Sequence, residues 1–346
     1  MIDNIINLQK KIVPELTNLL VERYKVLRQV SNEQPIGRRA LAAKLNLSER
    51  VLRAQVDFLK NAGLLVFSTS GMSVTEEGNN ILRELADYVQ KLQGLSSLEQ
   101  YLLARLNIKQ VVIIPGDSDK EPVVKREMGR AAARQLLILL KESKCNIVAV
   151  SGGTTLAAMA ANISGNFPET VVVPARGGLG DTVELQANTV ATVLAQHLHA
   201  SYRQLYVPDS VSQEVLRSIL AEDEGVRAVV DIVKHANILV HGIGRADVMA
   251  RHRHLPQPFI DKLLAEGAVG EAVGQYTALD GSQIFMTNNA GLMMQDLPQI
   301  GTVIGVAGGK SKAKAILAVS RATRQDILIT DEAAANEMAN ILGNGQ

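Results

Sequence analysis

The sequence predicts a two-domain α/β chain: an N-terminal winged helix-turn-helix, then a C-terminal Rossmann-like parallel sheet sandwiched between helices. Three observations carry this prediction. Residues 34–74 resolve into a basic helix, a tight turn, a second basic helix and a short hairpin. Beyond residue 95, apolar runs of strand length alternate with helical periodicity, the pattern of a parallel sheet covered on both faces. Several of those runs end in glycine turns, where open α/β sheets bind ligands.

Length and composition set the frame. A chain of 346 residues is too long for one ordinary core and suggests about two domains, placed at residues 1–94 and 95–346. Hydrophobic residues at 47% and charged residues at 21% are globular values. The sequence holds no apolar run of about 18 residues and no basic-apolar-small leader, so no membrane partner is expected and the predicted location is the cytoplasm. The single cysteine, Cys145, excludes an internal disulfide framework and a multi-thiolate metal site, and reads as a small hydrophobe beside a strand. The six histidines include pairs at 197 and 199 and at 252 and 254, but neither spacing makes one face of a helix and no carboxylate cluster accompanies them. No metal and no cofactor are expected.

In the N-terminal part, Leu16, Leu19, Leu20, Tyr24 and Leu27 fall at helical spacing, with Pro14 suited to a first turn. The net charge of the chain is only +1, yet residues 34–61 carry six basic residues against two acidic ones. That segment predicts a helix over 38–45 and a turn centred on Asn46, which tolerates a left-handed conformation. A second helix from about residue 49 to 62 is capped by Ser48, with Glu49 well placed by the helix dipole. Val51, Leu52, Val56 and Leu59 form its expected apolar stripe, leaving Arg50, Arg53, Ala54, Asp57 and Lys60 outward. Residues 64–68 and 72–74 read as a two-stranded wing around Thr69-Ser70-Gly71, and Thr75 caps a following helix that continues over 79–92. This arrangement predicts a helix lying in a major groove of double-stranded DNA, with Arg38, Arg39, Ser48, Arg50, Arg53 and Lys60 as the contacting set. The bland alternative is a winged helix used for protein contacts. The Gly94-Leu95-Ser96-Ser97 break marks the domain boundary.

The expected strands of the second domain are residues 110–114, 146–150, 170–174, 204–207, 237–241, 302–307 and 326–329. The one ending at Val150 runs into Ser151-Gly152-Gly153-Thr154-Thr155 and then into an alanine-rich helix. A glycine turn at a helix start offers unpartnered amides, a positive dipole end and two threonine hydroxyls, which together form a receptor for a phosphate. Three further loops stand at strand ends: Ala175-Arg176-Gly177-Gly178, Gly242-Ile243-Gly244 and Gly308-Gly309-Lys310-Ser311. The last adds a lysine and a serine to a glycine pair opening a helix. It is not a nucleoside-triphosphate loop, because Gly305 and Gly309 are separated by one residue too few for that pattern. Arg176 offers a planar fork for a second phosphate, and Arg251 and Arg253 follow a helix that starts near Arg245. Asp181, Glu184, Asp247 and Glu271 could accept bonds from sugar hydroxyls or serve as a base.

With VAVSGGTT (148–155), PARGGLG (174–180), HGIG (241–244) and GGKSKA (308–313) in that order behind a winged helix, the chain resembles the SorC/DeoR-type sugar-responsive transcriptional regulators over essentially its whole length. The resemblance implies an effector domain related to sugar-phosphate isomerases and glucosamine-6-phosphate deaminase, binding a phosphorylated sugar without transforming it. Within the family the match points to the glycolytic branch, whose implied inducer is fructose 1,6-bisphosphate. Carried onto this sequence, the family's roles put one phosphate on Gly153, Thr154, Thr155, Lys310 and Ser311. The other falls on Arg176 with Arg253 or Arg251, and Glu271 and Gln186 face the sugar hydroxyls. A homo-oligomer, dimer or tetramer, on paired operator sites also follows from the resemblance. The competing reading is an enzyme, a sugar-phosphate isomerase or deaminase with an accessory winged helix and Glu271 or Asp247 as base.

Overall fold

The computed structural model describes residues 6, 8–9, 11–92, 95–142, 146–178, 182–208 and 212–343. Cys145, Gly94, Asp181 and the Leu179-Gly180 end of the PARGGLG run lie outside them. The chain divides by its contacts into two compact units, Met1–Ser97 and Leu98–Gln346.

The first unit opens on α1 (Pro14–Glu33), with Pro14 at the first helical position, where its missing amide costs nothing. The buried apolar residues of α1 are Val26, Leu27 and Val30 in its second half; Leu16, expected in the apolar stripe, is 62% exposed, and Thr17 is the buried residue of that first turn. Then come α2 (Arg38–Leu45) and α3 (Glu49–Asn61), joined through Asn46 in the left-handed conformation, φ 52°. Ser48 caps α3 by accepting the Val51 amide at 3.3 Å. The stripe of α3 is Leu52, Val56 and Leu59, at spacings of four and three. Val51 is not part of it, since one residue before Leu52 is a 100° rotation away, and it is 43% exposed. The wing is the antiparallel pair β1 (Leu65–Ser68) and β2 (Gly71–Val74). The helix expected over 79–92 is two helices, α4 (Glu76–Glu84), capped by Thr75 at 3.0 Å, and α5 (Ala86–Leu92). One aliphatic core, including Leu27, Leu41, Leu52, Val56, Leu65 and Met72, joins α1, α2, α3 and the wing.

Helix α6 (Leu95–Leu106) begins in the last residues of the first unit and continues into the second, which contains a parallel sheet of seven strands: β3 (Gln110–Ile114), β4 (Ile147–Val150), β5 (Val171–Pro174), β6 (Ser201–Tyr202), β7 (Ile238–Gly242), β12 (Thr302–Val306) and β13 (Ile327–Asp331). Their order across the sheet is β3-β13-β12-β7-β4-β5-β6. The central strands read as unbroken apolar runs because helices cover both faces. The major covering helices are α7 (Pro122–Glu142), α8 (Thr154–Ala161), α9 (Ala187–Leu198), α11 (Glu224–Lys234), on which α10 (Gln213–Glu222) packs, α14 (Ala313–Ala322) and α15 (Glu332–Gly343). One expected strand is displaced: residues 204–207 are not extended in the sheet, and the edge pairing is made by Ser201 and Tyr202 against Val171 and Val172. Four strands were not anticipated, β8 (Gly244–Arg245), β9 (Ala268–Ala272), β10 (Gln275–Ala278) and β11 (Gln283–Met286), which form a separate antiparallel sheet. Between β8 and β9 lie α12 (Ala246–His252) and α13 (Gln257–Ala265).

Strand order reverses between β4 and β7. From β4 the chain moves outward to β5 and β6, then returns so that β7 lies on the other side of β4. The loops leaving these two strands diverge at that point and open a crevice at the carboxyl edge of the sheet. They are tied at its base by the Ser151 amide donating to Val240 O at 3.0 Å and the Gly242 amide donating to Ser151 Oγ at 3.1 Å.

Candidate functional site

The winged helix presents a basic face. Arg38, Arg39, Arg50, Arg53 and Lys60 are all exposed, and Ser48 spends its hydroxyl on the cap. Two of the cations are steered by the wing. Arg38 lies 5.3 Å and Lys60 4.9 Å from the centre of the Phe67 ring on β1, so one aromatic side chain holds the ends of α2 and α3 to a common cationic surface. Arg39 makes an exposed pair with Glu49 at 3.5 Å, too solvated to hold it firmly.

In the second unit the crevice is a cavity of about 410 Å³, within the range of small-molecule sites. Its first wall is the turn after β4. Gly153 adopts φ 118°, and its amide donates to Leu185 O at 2.8 Å, which anchors the turn to the 3-10 segment Val183–Leu185. A side chain at Gly152 would collide with the same carbonyl, whereas one at Gly153 would meet nothing within 4 Å. Thr154 and Thr155 open α8 into the cavity, and among the described residues no side chain accepts from their amides.

The lining also includes two buried arginines. Arg176 follows β5, is 6% exposed and donates from Nη2 to Thr287 Oγ1 at 2.8 Å. Gly274 is required beside it, because a Cβ there would overlap the guanidinium. Arg253, just after α12, donates from Nη2 to Glu271 Oε1 at 2.9 Å and from Nη1 to Tyr276 Oη at 3.0 Å. Burial raises the Tyr276 phenol above its ordinary value, so it stays protonated. Glu271, on β9, also accepts the Gly274 amide at 2.6 Å. The antiparallel sheet that the sequence did not announce is therefore what brings Glu271 and Arg253 to the cavity. Gln186 also lines it.

Several expected residues lie elsewhere. Arg251 is turned to solvent and pairs with Asp247 at 3.2 Å, so of the two neighbouring arginines only Arg253 lines the cavity. Asp247 is shared between Arg251 and Arg245. Burial alone would raise its pKa, but the hydrogen bonds and charges of the arginines lower it on balance. Glu184 is exposed on the Val183–Leu185 segment and does not line the cavity. Lys310 is also outside it and pairs with Glu337 at 3.4 Å. GGKS does not open the following helix directly. A 3-10 turn, Lys310–Lys312, comes first, and it points Lys312 rather than Lys310 into the cavity beside Ser311. Burial, then Lys125, lowers the pKa of Lys312 against the opposing pull of Asp119 and Asp331.

Residues missed from sequence include Lys312, Arg245 and His252, all in the lining. Lys312 stood in the quoted GGKSKA run, and only the tight turn distinguishes it from Lys310. His241 of the HGIG run is fully buried, contacts Gln325 Oε1 at 2.9 Å and is kept neutral by burial. Among the described residues no group of three metal-ligating side chains occurs.

Residues 19–89 match the family model for the CggR N-terminal DNA binding domain, and residues 90–340 match that of a sugar-binding domain. The fold and these matches define a class, the transcriptional regulators that join a DNA-binding domain to a sugar-binding domain. The chain is 43% identical to the Central glycolytic genes regulator of Priestia megaterium and 42% identical to that of Bacillus subtilis, in each case covering 97% of this chain and 98% of the relative. It belongs to this family of glycolytic gene regulators. A SorC family transcriptional regulator from Enterococcus faecalis is similar in structure, at TM-score 0.64 and 37% identity over 70% of this chain and 99% of that one. The full-length sorbitol operon regulator SorC from Klebsiella pneumoniae shares the fold at TM-score 0.64 and 18% identity, covering 92% of this chain and 98% of that one. These relatives are regulators, not enzymes, and that decides against an isomerase or deaminase.

Proposed function

We propose that this chain represses glycolytic genes and that a phosphorylated sugar, fructose 1,6-bisphosphate before others, lowers its affinity for operator DNA. The cavity supports the reading: the glycine turn and threonines at the start of α8 and two buried arginines line one space of a size suited to one small molecule. One phosphate is assigned to the amides and hydroxyls of Gly153, Thr154 and Thr155, with Lys312 and Ser311 at its side. The other is assigned to Arg176 and Arg253, with Gln186 and Glu271 toward the sugar hydroxyls. The DNA-contacting set is Arg38, Arg39, Arg50, Arg53 and Lys60 of the first domain, with the domain division near residue 94. A dimer or tetramer on paired half-sites in the bacterial cytoplasm completes the proposal.

A ligand changes DNA affinity only through its differential affinity for two arrangements of the protein. Typical couplings change operator affinity by roughly 5 to 150-fold. Operator titrations with and without fructose 1,6-bisphosphate should show weaker binding with ligand. Thr154→Ala with Thr155→Ala should bind operator normally without ligand and need far more sugar bisphosphate for release. Unchanged operator affinity at saturating bisphosphate overturns the coupling. Equal thermal stabilisation by a sugar bisphosphate and its monophosphates would overturn the two-phosphate assignment.

A further inference from the structure

The solvent face of α3 is not uniformly polar. In its first two turns Val51 and Ala54 are exposed on the same side of α3 as Arg50, while the buried stripe of Leu52, Val56 and Leu59 faces the core. Farther along the helix, Gln55 and Phe58 are engaged by Arg23 of α1, whose guanidinium lies 3.4 Å from the Phe58 ring centre and whose Nε donates to Gln55 Oε1 at 3.1 Å. In the N-terminal half of α3, the part of a recognition helix that reaches base edges, the exposed apolar side chains are Val51 and Ala54. They lie on a helix whose exposed cations Arg50, Arg53 and Lys60, with Arg38 of α2, give this face a charge complementary to a nucleic-acid duplex. In the major groove the one apolar group that a base displays is the C5-methyl of thymine.

We infer that Val51, supported by Ala54, reads a thymine methyl in each operator half-site. This assignment rests on the proposed operator binding and adds to it the chemistry of one recognised base. Val51 is 43% exposed and lies 100° from Leu52 of the buried stripe, so its replacement by alanine should cost little stability. Its role is thus separable from stability.

The test begins by selecting tightly bound duplexes from a random pool with the full chain. Each thymine of a selected duplex is then replaced by deoxyuridine, which removes the methyl and keeps the hydrogen-bonding edge. Native protein should lose about four-fold in affinity at one thymine per half-site, the value of burying one methyl group. In Val51→Ala that thymine should become indifferent to the replacement, while the other positions keep their effect. An enriched duplex with no thymine sensitive to methyl loss overturns this assignment alone. So does a sensitive thymine that stays equally sensitive in Val51→Ala. If no duplex is enriched, operator binding itself is overturned and this assignment falls with it.

Discussion

Gly153 and Gly309 occupy comparable places, each the last residue before a helical turn at the carboxyl end of a parallel strand, with φ of 118° and 97°. Their surroundings are opposite. Around Gly153 the space that a side chain would fill is open, and the following amides face the cavity. Around Gly308 and Gly309 that space holds the carboxylates of Asp331 and Asp119. Asp331 accepts the Gly309 amide at 2.6 Å, and Asp119 accepts the Ser311 amide at 2.9 Å and its hydroxyl at 3.1 Å. One glycine pair leaves its turn open to the cavity, whereas the other is filled by the protein's own anions. The signature Gly-Gly followed by a hydroxyl residue does not separate the two, because the difference lies in side chains far away in sequence.

The largest effect expected from this contrast is on stability. Asp331 is fully buried and accepts the amides of Gly309, Ser118 and Ala334, the last two at 2.8 Å. Asp331→Ala leaves three amides without that partner and removes the cap of α15. It should destabilise the second domain by roughly 3 kcal/mol or more, read by urea unfolding. A loss below about 1 kcal/mol would show that this loop does not depend on its internal carboxylate, and the contrast with the Gly153 turn would fail.

A smaller effect separates two lysines. Lys312→Met should weaken binding of a phosphorylated sugar by about ten-fold or more, the range of one charge-assisted contact. Lys310→Ala, which loses only the exposed pair with Glu337, should leave binding nearly unchanged. The pH dependence gives the sign. Because burial and Lys125 lower the Lys312 pKa, its charge is lost at lower pH than for a free lysine. Phosphate affinity should therefore fall as pH rises through that lowered value, and binding should take up a proton there. In the ligand-free protein the unfolded chain holds the extra proton across the same window. Stability should thus rise with pH between the lowered value and the ordinary lysine pKa. Calorimetry in buffers of different ionisation enthalpy would check the uptake, and its persistence in Lys312→Met would rule out this lysine as the source.

Local chemistry made much of the molecule legible. The left-handed turn at Asn46, the caps Ser48 and Thr75, the wing and six of the seven parallel strands all follow from signals a few residues long. The strand expected at 204–207 was misplaced because an edge strand of two exposed residues has no apolar run to mark it. The antiparallel sheet of β8 to β11 was missed because its strands are short, small-residue-rich and interrupted by two helices. Glu271 and Arg253 could be named as residues from the family resemblance, but their buried pairing needs that sheet. Whether Arg251 or Arg253 enters the cavity depends on the end of α12. His252 closes the helix and Arg253, at its cap, is turned inward to Glu271, a choice made by burial and not by spacing. Lys312 was overlooked for a related reason, since a 3-10 turn has a different periodicity from the helix expected there.

The smallest effect tests whether the second loop is filled permanently or only in the absence of ligand. Asp119 is exposed, its loop precedes α7, and its two bonds to Ser311 are in competition with water. Removing it should therefore cost little stability, within about 1 kcal/mol. Any phosphate that uses the Ser311 amide and hydroxyl has first to displace the Asp119 carboxylate, and it then sits beside a like charge. Asp119→Ala removes both penalties, so the affinity for a phosphorylated sugar should rise, by about three- to ten-fold if one charge-assisted contact is freed. Asp119→Asn keeps one acceptor and loses the charge, and should fall between the two. Titration of the three proteins with fructose 1,6-bisphosphate, followed by thermal stabilisation, orders them. If affinity falls in both variants, the carboxylate organises the loop for the ligand instead of competing with it. The two glycine turns would then be partners in one receptor rather than opposites.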